Sequence, residues 1–170
     1  MSVGRVRSQF ASTLGVAVAL ASWSVLAGII PADPGATDPG HRIGVAGAAL
    51  LPAVAVLNLM IVTQMALRMR TGAIDPLAGG EGVILRVNQR ALTNTVEQLA
   101  GFVPAFLALA AAAPPAWMPS VIAAGLVFAL ARLAFWFGYL CGPLLRAPGM
   151  AATFTINLAT LIAALWAWCP

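Results

Sequence analysis

The chain has 170 residues, of which 61% are hydrophobic and only 8% charged. Soluble domains carry about 25% charged residues, so a mostly water-facing protein is excluded and an integral membrane protein is indicated. The formal net charge is +4, but the arginines are scattered among apolar segments. No basic stripe interleaved with aromatics exists to suggest nucleic acid as a partner.

A membrane span needs about 20 apolar residues, and the chain offers five such segments in order. The first runs from Phe10 to Ile30, behind Arg5 and Arg7. A cleaved leader with an Ala19-Leu20-Ala21 site is the competing reading. Against cleavage, the apolar run continues through "SWSVLAGII" and ends only at the loop "PADPGATDPG". The second segment covers about 43–67 and is closed by Arg68 and Arg70. The polar loop "TGAIDPLAGGEG" leads to a third segment starting near Ala91 and ending at "AAAPPAWMPS". The fourth covers about 120–141, "GPLLRAPG" breaks the chain, and the fifth runs from about 150 to 168. The expected fold is all-α, a polytopic transmembrane helical bundle.

Arginines near the segment ends give the orientation. One side collects Arg5, Arg7, Arg68, Arg70, Arg86, Arg90 and Arg146, and the other has Arg42. The amino terminus is therefore expected in the cytoplasm and the carboxyl terminus outside. Trp117, Trp166 and Trp168 then fall at the outer interface, where aromatic belts form.

Within this apolar background lies a polar group of residues. Arg90, Asn94 and Glu97 are spaced by four and three, so they share one helical face. Glu97 stands about 9 Å beyond Ala91 along the helix, below the headgroup level. Arg132 and Tyr139, seven apart on the fourth segment, share a face too, and Arg132 is about 13 Å from Cys141. A charge at that depth costs about 2.5–3.5 kcal/mol on the insertion scale, and intramembrane ionisable residues are functional-site candidates by default. The competing reading is an Arg132–Glu97 ion pair that only holds the helices together.

The stretches "RVNQRALTNTVEQLAGFVPAFLALA" (86–110) and "ARLAFWFGYLCGPLLRAPG" (131–149) resemble the MAPEG family, the membrane-associated proteins in eicosanoid and glutathione metabolism, and its bacterial members most closely. Arg90-Ala91, Asn94, Glu97, Arg132, Gly138-Tyr139 and the Arg146-Ala147-Pro148 loop carry the likeness, which covers about residues 45–168. The resemblance implies a four-helix domain over 43–170, with residues 1–42 forming an additional amino-terminal transmembrane helix and its outer loop. It also implies a homotrimer in a bacterial inner membrane, with glutathione as cosubstrate between neighbouring subunits near the cytoplasmic face.

On that resemblance, Arg90 and Arg132 would pair with the glutathione carboxylates, because a planar guanidinium matches both oxygens. Asn94 would add amide hydrogen bonds, and Glu97 would answer the ammonium. Arg146 would stand beside the sulfur and favour the thiolate, whose free pKa is about 8.5, with Tyr139 lining the site or offering its hydroxyl. A lipophilic electrophile would arrive laterally from the lipid, to be conjugated or reduced. The alternative is a non-catalytic protein of the same fold that binds a lipid or partner and uses the polar cluster for assembly.

The remaining polar residues read more plainly. Asn58 and Gln64 are expected as hydrogen-bond links between helices, Thr153, Asn157 and Thr160 as packing, and His41 as a solvated loop residue. Cys141 and Cys169 are expected at opposite membrane faces, too far apart for a disulfide. One histidine and two isolated cysteines do not make a zinc site, and no duplicated halves suggest a transporter.

Overall fold

A computed structural model describes residues 3–73, 75 and 79–169. Five long helices make up the chain: α1 (Val3–Ile29), α2 (Pro39–Thr71), α3 (Val83–Ala112), α4 (Met118–Cys141) and α5 (Ala147–Trp168). All five are long and apolar enough to cross a membrane, and no strand occurs among the described residues. The all-α transmembrane architecture expected from the sequence is therefore what the chain adopts.

The helix ends follow local chemistry. Asp38 caps α2, accepting from the His41 backbone N–H at 2.8 Å, with Pro39 as its first residue. Gly72 terminates α2 in the left-handed conformation at φ 69°, where only glycine carries no Cβ penalty. α4 stops before Gly142 and Pro143, and Pro148 lies in the first turn of α5. The 33 residues of α2 extend about 50 Å, well beyond the roughly 30 Å hydrocarbon core. α3 likewise starts at Val83, two turns before the span expected from Ala91, because no breaker intervenes after Gly82. Arg86 and Arg90 therefore sit inside a helix. The expected division after residue 42 falls one turn inside α2. Pro104 also lies inside α3, which continues past it to Ala112.

Helices α2 to α5 form a four-helix bundle, and α1 packs outside it against α4 and α5. Between the bundle helices, Phe102 and Phe128 stack at 4.2 Å between ring centroids, and Phe106 leans on Phe102 at 5.0 Å. Alanines fill much of the rest of this core. The end carrying the α2–α3 and α4–α5 connections holds most of the arginines and is the arginine-rich end of the bundle.

At the opposite end Trp117 stacks on Trp166 at 5.4 Å, and Trp168 donates to Ala108 O at 3.0 Å. Arg42 is also there, but buried. Its Nε donates to Ala110 O at 3.0 Å, Nη2 to Ala111 O at 2.6 Å and Nη1 to Ala36 O at 3.0 Å. It closes the carboxyl end of α3, whose last carbonyls have no partner within the helix and carry partial negative charge. His41 is exposed, as expected of a solvated residue, and in addition holds Asp33 at 2.7 Å. With the Gly35 N–H as the larger cause and His41 as the next, the Asp33 carboxyl is held below its ordinary 3.8. Both cysteines are free and exposed.

Candidate functional site

Two buried polar sockets underlie the arginine-rich half. In the first, Trp136 Nε1 donates to Asn88 Oδ1 at 2.7 Å, and Asn88 Nδ2 donates to Gln64 Oε1 at 2.7 Å. Three helices are thereby joined, and Gln64 is the interhelical link expected of it. Asn58 is not: it is exposed and returns to Val54 O of its own helix at 2.9 Å. Asn88 is fully buried, so its amide had to find these partners.

The second socket surrounds Arg132, which is fully buried. Its Nε and Nη2 donate to Thr95 Oγ1 at 3.2 and 2.8 Å, and its Nη1 to Thr153 Oγ1 at 3.4 Å. Each threonine hydroxyl turns its own proton onto the carbonyl four residues back, Ala91 or Gly149, both at 2.8 Å. Their lone pairs are thus left for the guanidinium. The guanidinium also lies 4.2 Å from the Phe135 ring centre, a favourable place for a cation. Arg132 and Glu97 form no ion pair. Asn94 stands between them, accepting from Arg132 Nη2 at 3.1 Å and donating to Glu97 Oε2 at 3.4 Å.

In front of this socket opens a cleft of about 1060 Å³, at the upper limit of the usual range for small-ligand sites. Arg90, Asn94 and Glu97 of α3 line one side, with Tyr139 of α4 and Arg146 of the following turn across from them. The Arg146 guanidinium lies 4.7 Å from the Tyr139 ring centre, and Tyr139 tilts against Phe135 at 5.7 Å. Close backbone packing holds these parts in place. A Cβ on Gly138 would stand 2.2 Å from Leu145 O and 3.1 Å from Arg146 N, and one on Gly149 would stand 2.2 Å from Phe135 N. Only glycine lets the Arg146 turn fold back onto α4 and α5 cross so near.

Five of the six residues singled out by sequence therefore share one cleft: Arg90, Asn94, Glu97, Tyr139 and Arg146. Arg132 does not line it. It lies behind the wall, with its donors committed to protein oxygens, and reaches the cleft only through Asn94 and Phe135. Arg86 turns away and donates to Glu81 O, while Arg68 pairs with Glu81 at 2.7 Å, closing the loop between α2 and α3. Thr153, read as packing, is a member of the Arg132 socket, and Asn157 instead bonds Gln98 Oε1 at 2.6 Å.

Asn88 and Thr95 escaped the sequence reading. Their seven-residue spacing, continued by Phe102 and Leu109, marks the buried stripe of α3 and was the available signal. Ser8 and Ser12 of α1, which also line the cleft, carried no signal of their own.

Chemically, the cleft presents two exposed guanidinium groups, one carboxylate and an amide, beside the apolar surfaces of Phe135, Met150 and Phe154. That set suits a zwitterionic guest with excess negative charge, joined to something apolar. No curated protein and no solved structure matches this chain. The model of the MAPEG family matches residues 45–166, from early α2 almost to the end of α5 and across every charged residue of the cleft. This integral membrane protein belongs to the MAPEG family.

Proposed function

We propose that the cleft binds glutathione and that the protein is a membrane-bound, glutathione-dependent transferase or peroxidase-like enzyme acting on lipophilic electrophiles. The observation that carries this reading is the meeting of Arg90, Asn94, Glu97, Tyr139 and Arg146 around one cavity. Glutathione has two carboxylates, an ammonium and a thiol. Arg90 pairs with carboxylate, Glu97 with the ammonium, and Asn94, its carbonyl turned to Arg132, keeps the α3 side of the cleft in register. Arg132 adds positive potential from behind. Arg146, over Tyr139, is the guanidinium free to stand beside the sulfur, and each pKa unit by which it favours thiolate corresponds to about 1.4 kcal/mol.

In conjugation the sulfur lone pair forms a bond to the electrophilic carbon. The displaced electron pair moves onto the electrophile's oxygen or leaving group, and the thiol proton goes to that group or to water.

The same reading places the arginine-rich end in the cytoplasm of a bacterium with an inner membrane, and the copies in a homotrimer. Arg90 and Glu97 are exposed on α3, and charge facing lipid is costly. A second copy packed over that face shields them and completes the site.

The test is glutathione binding by the full-length protein in detergent. A ligand that binds only the folded state raises its apparent stability. We expect glutathione to raise the melting temperature and to show thiolate absorbance near neutral pH. Arg146→Ala should retain binding but lose the absorbance, as the thiol returns toward its free pKa of about 8.5. Absent stabilisation rejects the reading. The non-catalytic alternative draws on Arg132 as a structural link, each of its three nitrogens donating to a side-chain oxygen of α3 or α5. It predicts that Arg90→Ala and Glu97→Ala dissociate the oligomer and that glutathione has no effect.

A further inference from the structure

α1 lies outside the family-matched residues 45–166, yet it is fastened to the site. Ser8, Ser12, Gly15, Ala19 and Trp23 recur at spacings of four and three, which keeps them on one face. Gly15 rests on the first turn of α5, where a Cβ would stand 2.2 Å from Pro148 O and 2.7 Å from Pro148 Cα. Backbone atoms cannot step aside for a side chain. Further along, Ala19 is buried, and Trp23 Nε1 donates to Ser120 O at 2.8 Å. With the helix axis held at these points, Ser12 and Ser8, one and two turns before Gly15, line the cleft. Neither hydroxyl is bonded to another group among the described residues.

The walls of the cleft differ in kind. The α3 side carries the ionic groups suited to a peptide's charges. The α5 side adds Met150, Ala151 and Phe154, and α1 adds two neutral donors to that apolar surface. A wholly hydrocarbon guest would offer these hydroxyls nothing, leaving them unpaired or turned back onto the carbonyls of their own helix. A mostly apolar guest with a carbonyl or hydroperoxide oxygen would pair them.

We propose that α1 forms the wall that meets the second, lipophilic substrate, and that Ser8 and Ser12 donate hydrogen bonds to an oxygen on it. The additional helix thereby selects oxygenated apolar molecules for the site. This rests on the glutathione reading above.

Binding of product-like thioethers tests it without requiring turnover. Full-length protein in lipid nanodiscs is titrated calorimetrically with glutathione, S-hexylglutathione and S-(3-oxohexyl)glutathione. The wild type should prefer the oxo compound to the hexyl one by about three- to tenfold, the value of one added neutral hydrogen bond. Replacing both serines, S8A with S12A, should abolish that preference and leave the Kd for glutathione unchanged. Ser12→Trp, which fills the α1 side, should weaken both thioethers at least about tenfold and again spare glutathione. A preference that survives the double alanine variant, or thioether affinities indifferent to Ser12→Trp, overturns the proposal. A wild type that ignores glutathione itself overturns the underlying reading, and this inference falls with it.

Discussion

The two halves of the bundle are built from the same helices by different means. Toward the tryptophan-bearing end, α3 and α4 meet through Phe102, Phe106 and Phe128, with alanines closing the gaps. Toward the arginine-rich end they meet through Asn88, Trp136, Thr95 and Arg132. Aromatic packing is tolerant of small rotations, because dispersion has little directional preference. A guanidinium with threonine and asparagine acceptors is not, since its donors lie in a fixed plane. The half that faces a cleft is the half whose helix register is fixed by directed bonds. Precision is spent where a ligand would need it.

The largest effect should come from the aromatic half. Phe128→Ala removes a fully buried ring from the stack and should cost about 3–5 kcal/mol in thermal unfolding in detergent, while any ligand affinity of the folded fraction stays unchanged. Thr95→Val keeps the shape but removes the oxygen serving two Arg132 nitrogens. Bonds to charged groups contribute about 1.5–3 kcal/mol, so a smaller loss of stability is expected, this time with weakened cleft binding because Arg132 also orients Asn94. Equal effects of the two variants on binding would erase the distinction between the halves.

The smallest effect belongs to the Asp33 loop, outside both. The Asp33 pKa is lowered in the folded chain, so its contribution is full above its ordinary 3.8 and is lost as pH falls through the folded value. Asp33→Asn should therefore differ from wild type at neutral pH and converge with it in strong acid, as read from melting temperature against pH.

Helix number, order and approximate limits were legible in the sequence, because 20-residue apolar runs broken by Pro and Gly leave few alternatives. The face shared by Arg90, Asn94 and Glu97 was equally legible, being local to one helix. What could not be read was the rotation of each helix about its axis. Helices that are apolar nearly all round give no stripe to orient them. Thus Arg132 was expected in the cleft and lies behind it, because its acceptors belong to α3 and α5. Thr153 was read as packing for the same reason. In the sequence Arg42 is only one charge near a segment end, because two of its three carbonyl partners lie 68 and 69 residues away. Asn58 was expected to bridge helices but found the carbonyl of its own preceding turn, an outlet always within reach of a helical side chain.

The Arg42 bonds have a consequence for the surrounding lipid. With all its nitrogens turned onto carbonyls, this arginine has little left for a phosphate headgroup, whereas Arg7 and Arg70, outside the cleft, are exposed at the other end. Among the described residues, the arginines open to anionic lipid therefore stand at one end, and the bundle should gather an asymmetric lipid annulus around itself.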